Sequence, residues 1–503
     1  MYKSTAPATE AHHLFNDKMI WRALFPLIFC SVFAALAVNR YAPAALNADM
    51  ILQSIISLQN VTLFYWGQNR FANVLPLLLQ PITDPGWNLL GMLWAYAVSL
   101  FALLALLSIR GTKFLFSETS ELGHWLSFLI SAVVIFVGFS AKTCEMFVVE
   151  GQPYPPSFFL CAMAATLIVR KIASRITTVI GLLFLSAAIG INPSLVLLIV
   201  PLSTMFLWSV DRWRLAVFVG SSILIFGIWT GLSQLEPALS VSYFTLDLEN
   251  AKVGLSRSAE RIFDALDPAF YIFAFSAIIA RWIMHRRSKD MAHVDLAVII
   301  LGFLGIGWFL AFAMSSWVKV NDYGVRYFSV TLLALVGMVA IPLVAILQQV
   351  KAFTQTYVVA LLIFAFLAQV LRAPVPLDEY AVIRDTSSNV LFAEQNGIKF
   401  IAGDYWKAWP TVFQLMRLGH QSFGLAGRGE GNRKALLLLI DEDTQLEVTP
   451  KALCVSEPFK TCAWWASHIT GRTWNPPTST CPDISCRVIT MEMRGDGVPG
   501  NIQ

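Results

Sequence analysis

The sequence predicts an all-α polytopic transmembrane bundle of about eleven spans, followed by an extracytoplasmic α/β domain. Three observations carry that prediction. Of 503 residues, 56% are apolar and 14% charged, with a mean hydropathy of +0.63, whereas soluble domains carry about 25% charged residues. The apolar residues gather in runs of about 15 to 23, close to the roughly 20 that cross a bilayer. After residue 372 no such run recurs, so 372–503 reads as a soluble tail. An ordinary cytosolic enzyme is thereby excluded, and so is a disordered chain, which would be poor in hydrophobes and rich in charge. The net charge of +4 is small and the basic residues lie in short clusters between apolar runs, so no nucleic-acid partner is expected.

A cytoplasmic segment, 1–18, precedes the membrane domain, 19–371. Its spans are read at 19–38, 88–108, 124–141, 156–170, 176–191, 194–210, 215–235, 268–284, 294–316, 329–349 and 357–371. The fourth to sixth are short or closely spaced, so the count is open by one or two. With the N-terminus inside, fifteen Lys and Arg fall on the inner side against eight in longer outer loops. That asymmetry obeys the positive-inside rule. The first run follows Lys18 and Arg22 and is long enough to stay as an anchor instead of being cleaved. Eleven spans place the tail outside, and the inner membrane of a Gram-negative bacterium is the expected location.

Cysteine usage agrees. Four of seven cysteines, Cys454, Cys462, Cys481 and Cys486, lie in the tail, as suits one or two disulfides in an oxidising compartment. Three pairings are possible. No C-x-x-C spacing favours zinc, and the seven His residues form no cluster with ligand spacing, so neither metal nor cofactor is expected.

Function is sought on the outer face, in the long segments 39–87 and 236–267 and in the tail, because long irregular segments concentrate it. In the first of these, Asn47 reads as a helix N-cap with Asp49 in the first turn. Asp49, Gln53, Ser57 and Asn60 then share one helix face, and the helix is expected to lie along the membrane interface. Asp49 alone could simply stabilise that helix start. Phe64-Tyr65-Trp66-Gly-Gln68-Asn69-Arg70 follows, with amides, an Arg and aromatics suited to a sugar or head group, or to an interfacial belt. Asp84 lies in Pro81-Ile-Thr-Asp-Pro-Gly-Trp87. Late in the domain, Asp322, Arg326 and Tyr327 stand just before the tenth span, where Arg326 could hold a lipid phosphate or pair with Asp322. Glu145 and Glu150 are further acids on the same side.

The opening acid at an interfacial helix, the Tyr-Trp-Gly-Gln-Asn-Arg stretch and the late Arg-Tyr resemble polytopic GT-C-type glycosyltransferases. The resemblance covers roughly 15–371, and its motifs are moderately specific. Those enzymes take a sugar from a polyprenyl-phosphate carrier on the outer leaflet. The resemblance implies that Asp49 is the catalytic base and that Arg70 and Arg326 contact the carrier phosphate. Gln53, Tyr65, Trp66, Gln68, Asn69, Asp322 and Tyr327 are implied as substrate contacts. Many relatives carry a second acid in the first outer loop; here it would be Asp84, far along the chain. The implied partners are a polyprenyl-phosphate sugar, an envelope glycan or lipid acceptor, and membrane lipid.

The tail alternates in pattern: Ser387–Asn396 helix, Ile398–Ala402 strand, Tyr405–Leu418 helix and Ala435–Ile440 buried strand. Its Gly403-Asp-Tyr-Trp-Lys-Ala-Trp-Pro410 stretch is similar to aromatic segments in the outer tails of bacterial glycan-modifying membrane enzymes. Tyr405, Trp406 and Trp409 could line an acceptor groove, or form the core of a small domain. Two rival functions remain: a transporter or flippase for a lipid-linked or small polar substrate, and a non-catalytic protein of envelope assembly. Few charges inside the spans and no repeat between the halves disfavour transport.

Overall fold

The computed structural model describes residues 17–68, 71–116, 120–150, 153–169, 174–199, 203, 211–235, 245, 247–249, 251–287, 291–446, 448–456, 460–475 and 488–492. Among them, eight helices are long and apolar enough to cross a membrane: Pro26–Ala45, Pro85–Leu115, Glu121–Gly138, Arg212–Ser233, Pro268–Arg286, Ala292–Ala313, Val325–Leu347 and Ala352–Val370. The number rises to nine if one bent pair counts as a span, below the eleven read from hydropathy.

The discrepancy sits where the runs were short. The fourth run is the helix Tyr154–Ile168, only 15 residues long. The fifth and sixth meet in a pair bent by 115°, Arg175–Ile191 and Pro193–Ile199. Asn192 between them is extended, and Pro193 has no N–H to continue the helix, so the chain turns there. Most of 200–210 lies outside the described residues.

Two outer segments are more ordered than irregular loops. The first helix, Asp17–Ala45, runs past residue 39, and a second, Ala48–Gln59, follows at once. Within 236–267 the chain forms the helix Ala251–Ala265. Hydrogen bonds from Ser140 N to Ala265 O, Asp267 N to Gly138 O and Asp247 N to Met314 O draw these connections to one end of the bundle.

Burial grades from centre to rim. In Glu121–Gly138, 61% of the apolar window is buried, against 17% in Ala352–Val370. The rim helices expose Ile272, Phe275, Phe303 and Phe364, side chains that only lipid would cover without cost.

The tail carries a five-stranded sheet in the order β2-β1-β3-β5-β4, with β1 Phe400–Gly403, β2 Phe423–Ala426, β3 Lys451–Cys454, β4 Trp474–Asn475 and β5 Val488–Met491. β1 runs parallel to β2 and β3, and β5 runs antiparallel to β3 and β4. The expected strand at Ala435–Ile440 is instead part of the helix Arg433–Gln445. Leu436, Leu439 and Ile440 are buried there at helical spacing; an apolar run that short fits either period. The tail does not swing free. Its Trp409, Val412 and Phe413 belong to the same apolar core as Ile51 and Ile55 of Ala48–Gln59 and Leu89 of Pro85–Leu115.

Candidate active site between bundle and tail

The site begins with a helix start. Asn47 is extended, and its side chain accepts a hydrogen bond from Met50 N at 3.2 Å, capping Ala48–Gln59 and placing Asp49 in the first turn. The helix does not lie along a membrane surface as expected. Nine of its twelve residues are buried, because it is packed between Pro85–Leu115 and the tail helix Tyr405–Arg417. Asn88 locks it there, accepting from Ser54 Oγ at 2.8 Å and donating to Ser57 Oγ, Leu79 O and Ile82 O, each at 3.0 Å. The expected polar stripe therefore divides. Asp49 and Gln53 line a cavity, Ser57 joins the Asn88 network, and Asn60 reaches Gly431 of the tail.

A turn closes over Asp49. Phe64 and Ala72 bridge antiparallel, Tyr65 N donates to Phe71 O, and Gly67 takes the left-handed conformation (φ 65°). Tyr65 Oη donates to the Asp49 backbone oxygen at 3.2 Å and lies 3.3 Å from Tyr405 Oη. Tyr405 opens its helix behind the N-cap Asp404, which accepts from Trp406 N and Lys407 N. Its hydroxyl donates to Asp49 Oδ1 at 2.7 Å. Burial pushes both phenols well above their usual range, so they serve as proton-holding donors.

Sequence reasoning missed Arg428. Its guanidinium reaches Asp49 Oδ1 at 3.5 Å and lies over the rings of Tyr65 (4.8 Å) and Tyr405 (5.1 Å). With its amide oxygen turned toward Arg428, Gln68 accepts from Nη2 at 2.7 Å. Arg428 itself is left-handed (φ 75°), within Gly427-Arg-Gly-Glu-Gly431. The glycines permit close docking: a Cβ on Gly431 would stand 2.1 Å from Trp66 Cγ, and one on Gly67 would stand 3.1 Å from Arg428 Cα. That Gly-Arg-Gly-Glu-Gly run is the signal that could have flagged it.

Across the cavity, Arg326 sits in the turn Val325–Phe328. It bonds Tyr327 Oη at 3.2 Å and stacks 5.1 Å from that ring, while Tyr327 O accepts from Trp308 Nε1 at 2.8 Å. Burial raises the Glu150 carboxyl above its usual range, Arg326 opposes that, and Asp49 adds to it. The cavity, of about 850 Å³, holds Asp49, Gln53, Tyr65, Gln68, Arg326, Tyr327, Tyr405, Trp406 and Arg428 on its walls. Leu75, Pro76, Leu197, Phe226, Trp229 and Phe312 give it an apolar flank.

Other expected residues stand elsewhere. Asp84 caps Pro85–Leu115 through Trp87 N and lines a separate recess with Arg417. Asp322 pairs with Arg261 instead of Arg326. Trp66 and Trp409 are buried behind the wall, donating to Asn60 O and Gly427 O, with their rings 6.0 Å apart. Asn69 and Arg70 lie outside the described residues, as do Cys481 and Cys486, whereas Cys454 and Cys462 are disulfide-bonded. Among the described residues no three His, Cys, Asp or Glu side chains form a group that could hold a metal ion.

No family model matches the chain, and no curated protein matches it. Among solved structures, it is similar to ArnT from Cupriavidus metallidurans bound to undecaprenyl phosphate. That match has 12% identity and a TM-score of 0.39, over 84% of this chain and 80% of that one. The apo form of the same protein matches with 13% identity and a TM-score of 0.36, over 86% of this chain and 81% of that one.

Proposed function

We propose that this cavity transfers a sugar from a polyprenyl-phosphate-linked donor to an envelope glycan or lipid acceptor, on the periplasmic face of the inner membrane. One observation carries the reading: a carboxylate and a separate cation, Asp49 and Arg326, share the walls of one cavity with an apolar flank at one end of the bundle. A lipid-borne anionic donor needs all three features.

The chemistry assigns each a task. Asp49 accepts the acceptor's hydroxyl proton as that oxygen attacks the anomeric carbon. The bond from this carbon to the phosphate oxygen breaks, and its electron pair leaves with the carrier as polyprenyl phosphate. Arg326 stabilises the charge that develops on the phosphate. Tyr405 and Arg428 hold the Asp49 carboxylate in place, which restricts it to geometries useful for attack. Gln53, Gln68 and the half-exposed Trp406 offer hydrogen bonds and a ring face to sugar.

Asp49→Asn keeps the shape and the helix start but cannot take a proton. It is expected to abolish transfer from a radiolabelled polyprenyl-phosphate sugar in membranes while expression and insertion persist. Normal transfer by this variant removes Asp49 as the base. Arg326→Ala is expected to raise the apparent KM for the donor more than that for the acceptor, and equal effects would remove its phosphate role.

A further inference from the structure

Tyr96 lies on Pro85–Leu115, in the cavity wall, and is 1% exposed. Its hydroxyl has no hydrogen-bond partner among the described residues. A buried hydroxyl left unpaired costs about 1–3 kcal/mol, so one kept in a cavity wall points to an atom that arrives with a ligand. The surroundings say which kind. Tyr154, Glu150, Asp49 and Arg326 all lie near enough to act on this hydroxyl electrostatically, yet none bonds to it. The gap between them is bordered by the cation already assigned to the donor's phosphate.

We infer that Tyr96 is a substrate-binding residue whose hydroxyl donates to a phosphoryl oxygen of the polyprenyl-phosphate group held by Arg326, an inference that rests on the reading above. A phenol donating to a charged oxygen makes a stronger bond than one donating to a neutral sugar hydroxyl. The position suits this: the residue belongs to a spanning helix, whereas Trp406 and Arg428, on the opposite wall, belong to the tail.

The test uses the full-length protein in nanodiscs and Tyr96→Phe, which removes one oxygen and nothing else. Binding of a polyprenyl phosphate is expected to weaken about tenfold, the order of one hydrogen bond to a charged group. Binding of the matching polyprenol, which lacks phosphate, should be unchanged, and the thermal midpoint of the ligand-free protein should hold or rise. Inorganic phosphate forms a third arm: if the variant weakens it equally, the site recognises the phosphoryl group apart from its lipid. Unchanged affinity for polyprenyl phosphate overturns the inference, as does an equal loss for polyprenol or a lowered midpoint, which would mark a packing role. If the wild type itself fails to bind polyprenyl phosphate, the donor assignment falls first.

Discussion

Asp49 gains its setting from partners that are remote in sequence. Tyr405 lies 356 positions away and Arg428 lies 379 away, yet both reach the same carboxylate oxygen. Tyr405→Phe deletes a hydrogen bond to a charged group, of the order of 1.5–3 kcal/mol; kcat is expected to fall about tenfold or more, with little change in donor KM, in steady-state kinetics. Arg428→Lys keeps the charge but loses the flat guanidinium between two rings, so it should retain more turnover than Arg428→Ala yet less than the wild type. Glu150 offers a pH signature. Its carboxyl is raised in the folded protein, so the folded state binds that proton more tightly than the unfolded chain does. Its contribution is present at low pH and is lost as pH climbs from the unfolded value through the folded one. Thermal melts between about pH 4 and pH 7 should therefore slope less steeply in Glu150→Gln.

At the scale of elements, the short helix Ala48–Gln59 and the loop 427–431 act as the two halves of a clasp. Gln59 accepts from Asn432 Nδ2 at 2.7 Å and donates to Ser422 O at 2.8 Å, and Asn60 donates to Gly431 O. Gly431→Ala would force a methyl into the Trp66 ring, an overpacking cost of about 1–3 kcal/mol. Looser docking of the tail is expected, read as faster limited proteolysis within 372–380 together with reduced transfer. The helix at Ala48–Gln59 was legible because capping is local: Asn47 and Asp49 lie two residues apart. The helix at Arg433–Gln445 was not, since its apolar run is too short to reveal a period without the neighbours that bury it.

At the scale of the whole molecule, outer connections and tail gather at one end of the bundle, and the loop 348–351 lies at the other. The proposed topology puts the first end in the periplasm. Trp406 and Gln349 are exposed and mark the two ends, while the free cysteines Cys30, Cys144 and Cys161 are buried. A membrane-impermeant thiol reagent should label Trp406→Cys from the periplasmic side, and Gln349→Cys only after the inner membrane is opened. The reverse pattern would invert the assignment.

Composition and hydropathy alone determined that this chain builds a helical membrane bundle, because burying apolar length in lipid depends on the sum of each run and hardly on its neighbours. They also marked Asp49, through a cap confined to a single turn. Tertiary structure alone decided the number of passes, since the 115° bend at Asn192–Pro193 divides what hydropathy reads as two full spans. It alone brought Arg428 to Asp49, separated Asp84 and Asp322 from the cavity and left Tyr96 without a partner. Convergence of side chains hundreds of positions apart is set by packing, which no local run of residues encodes.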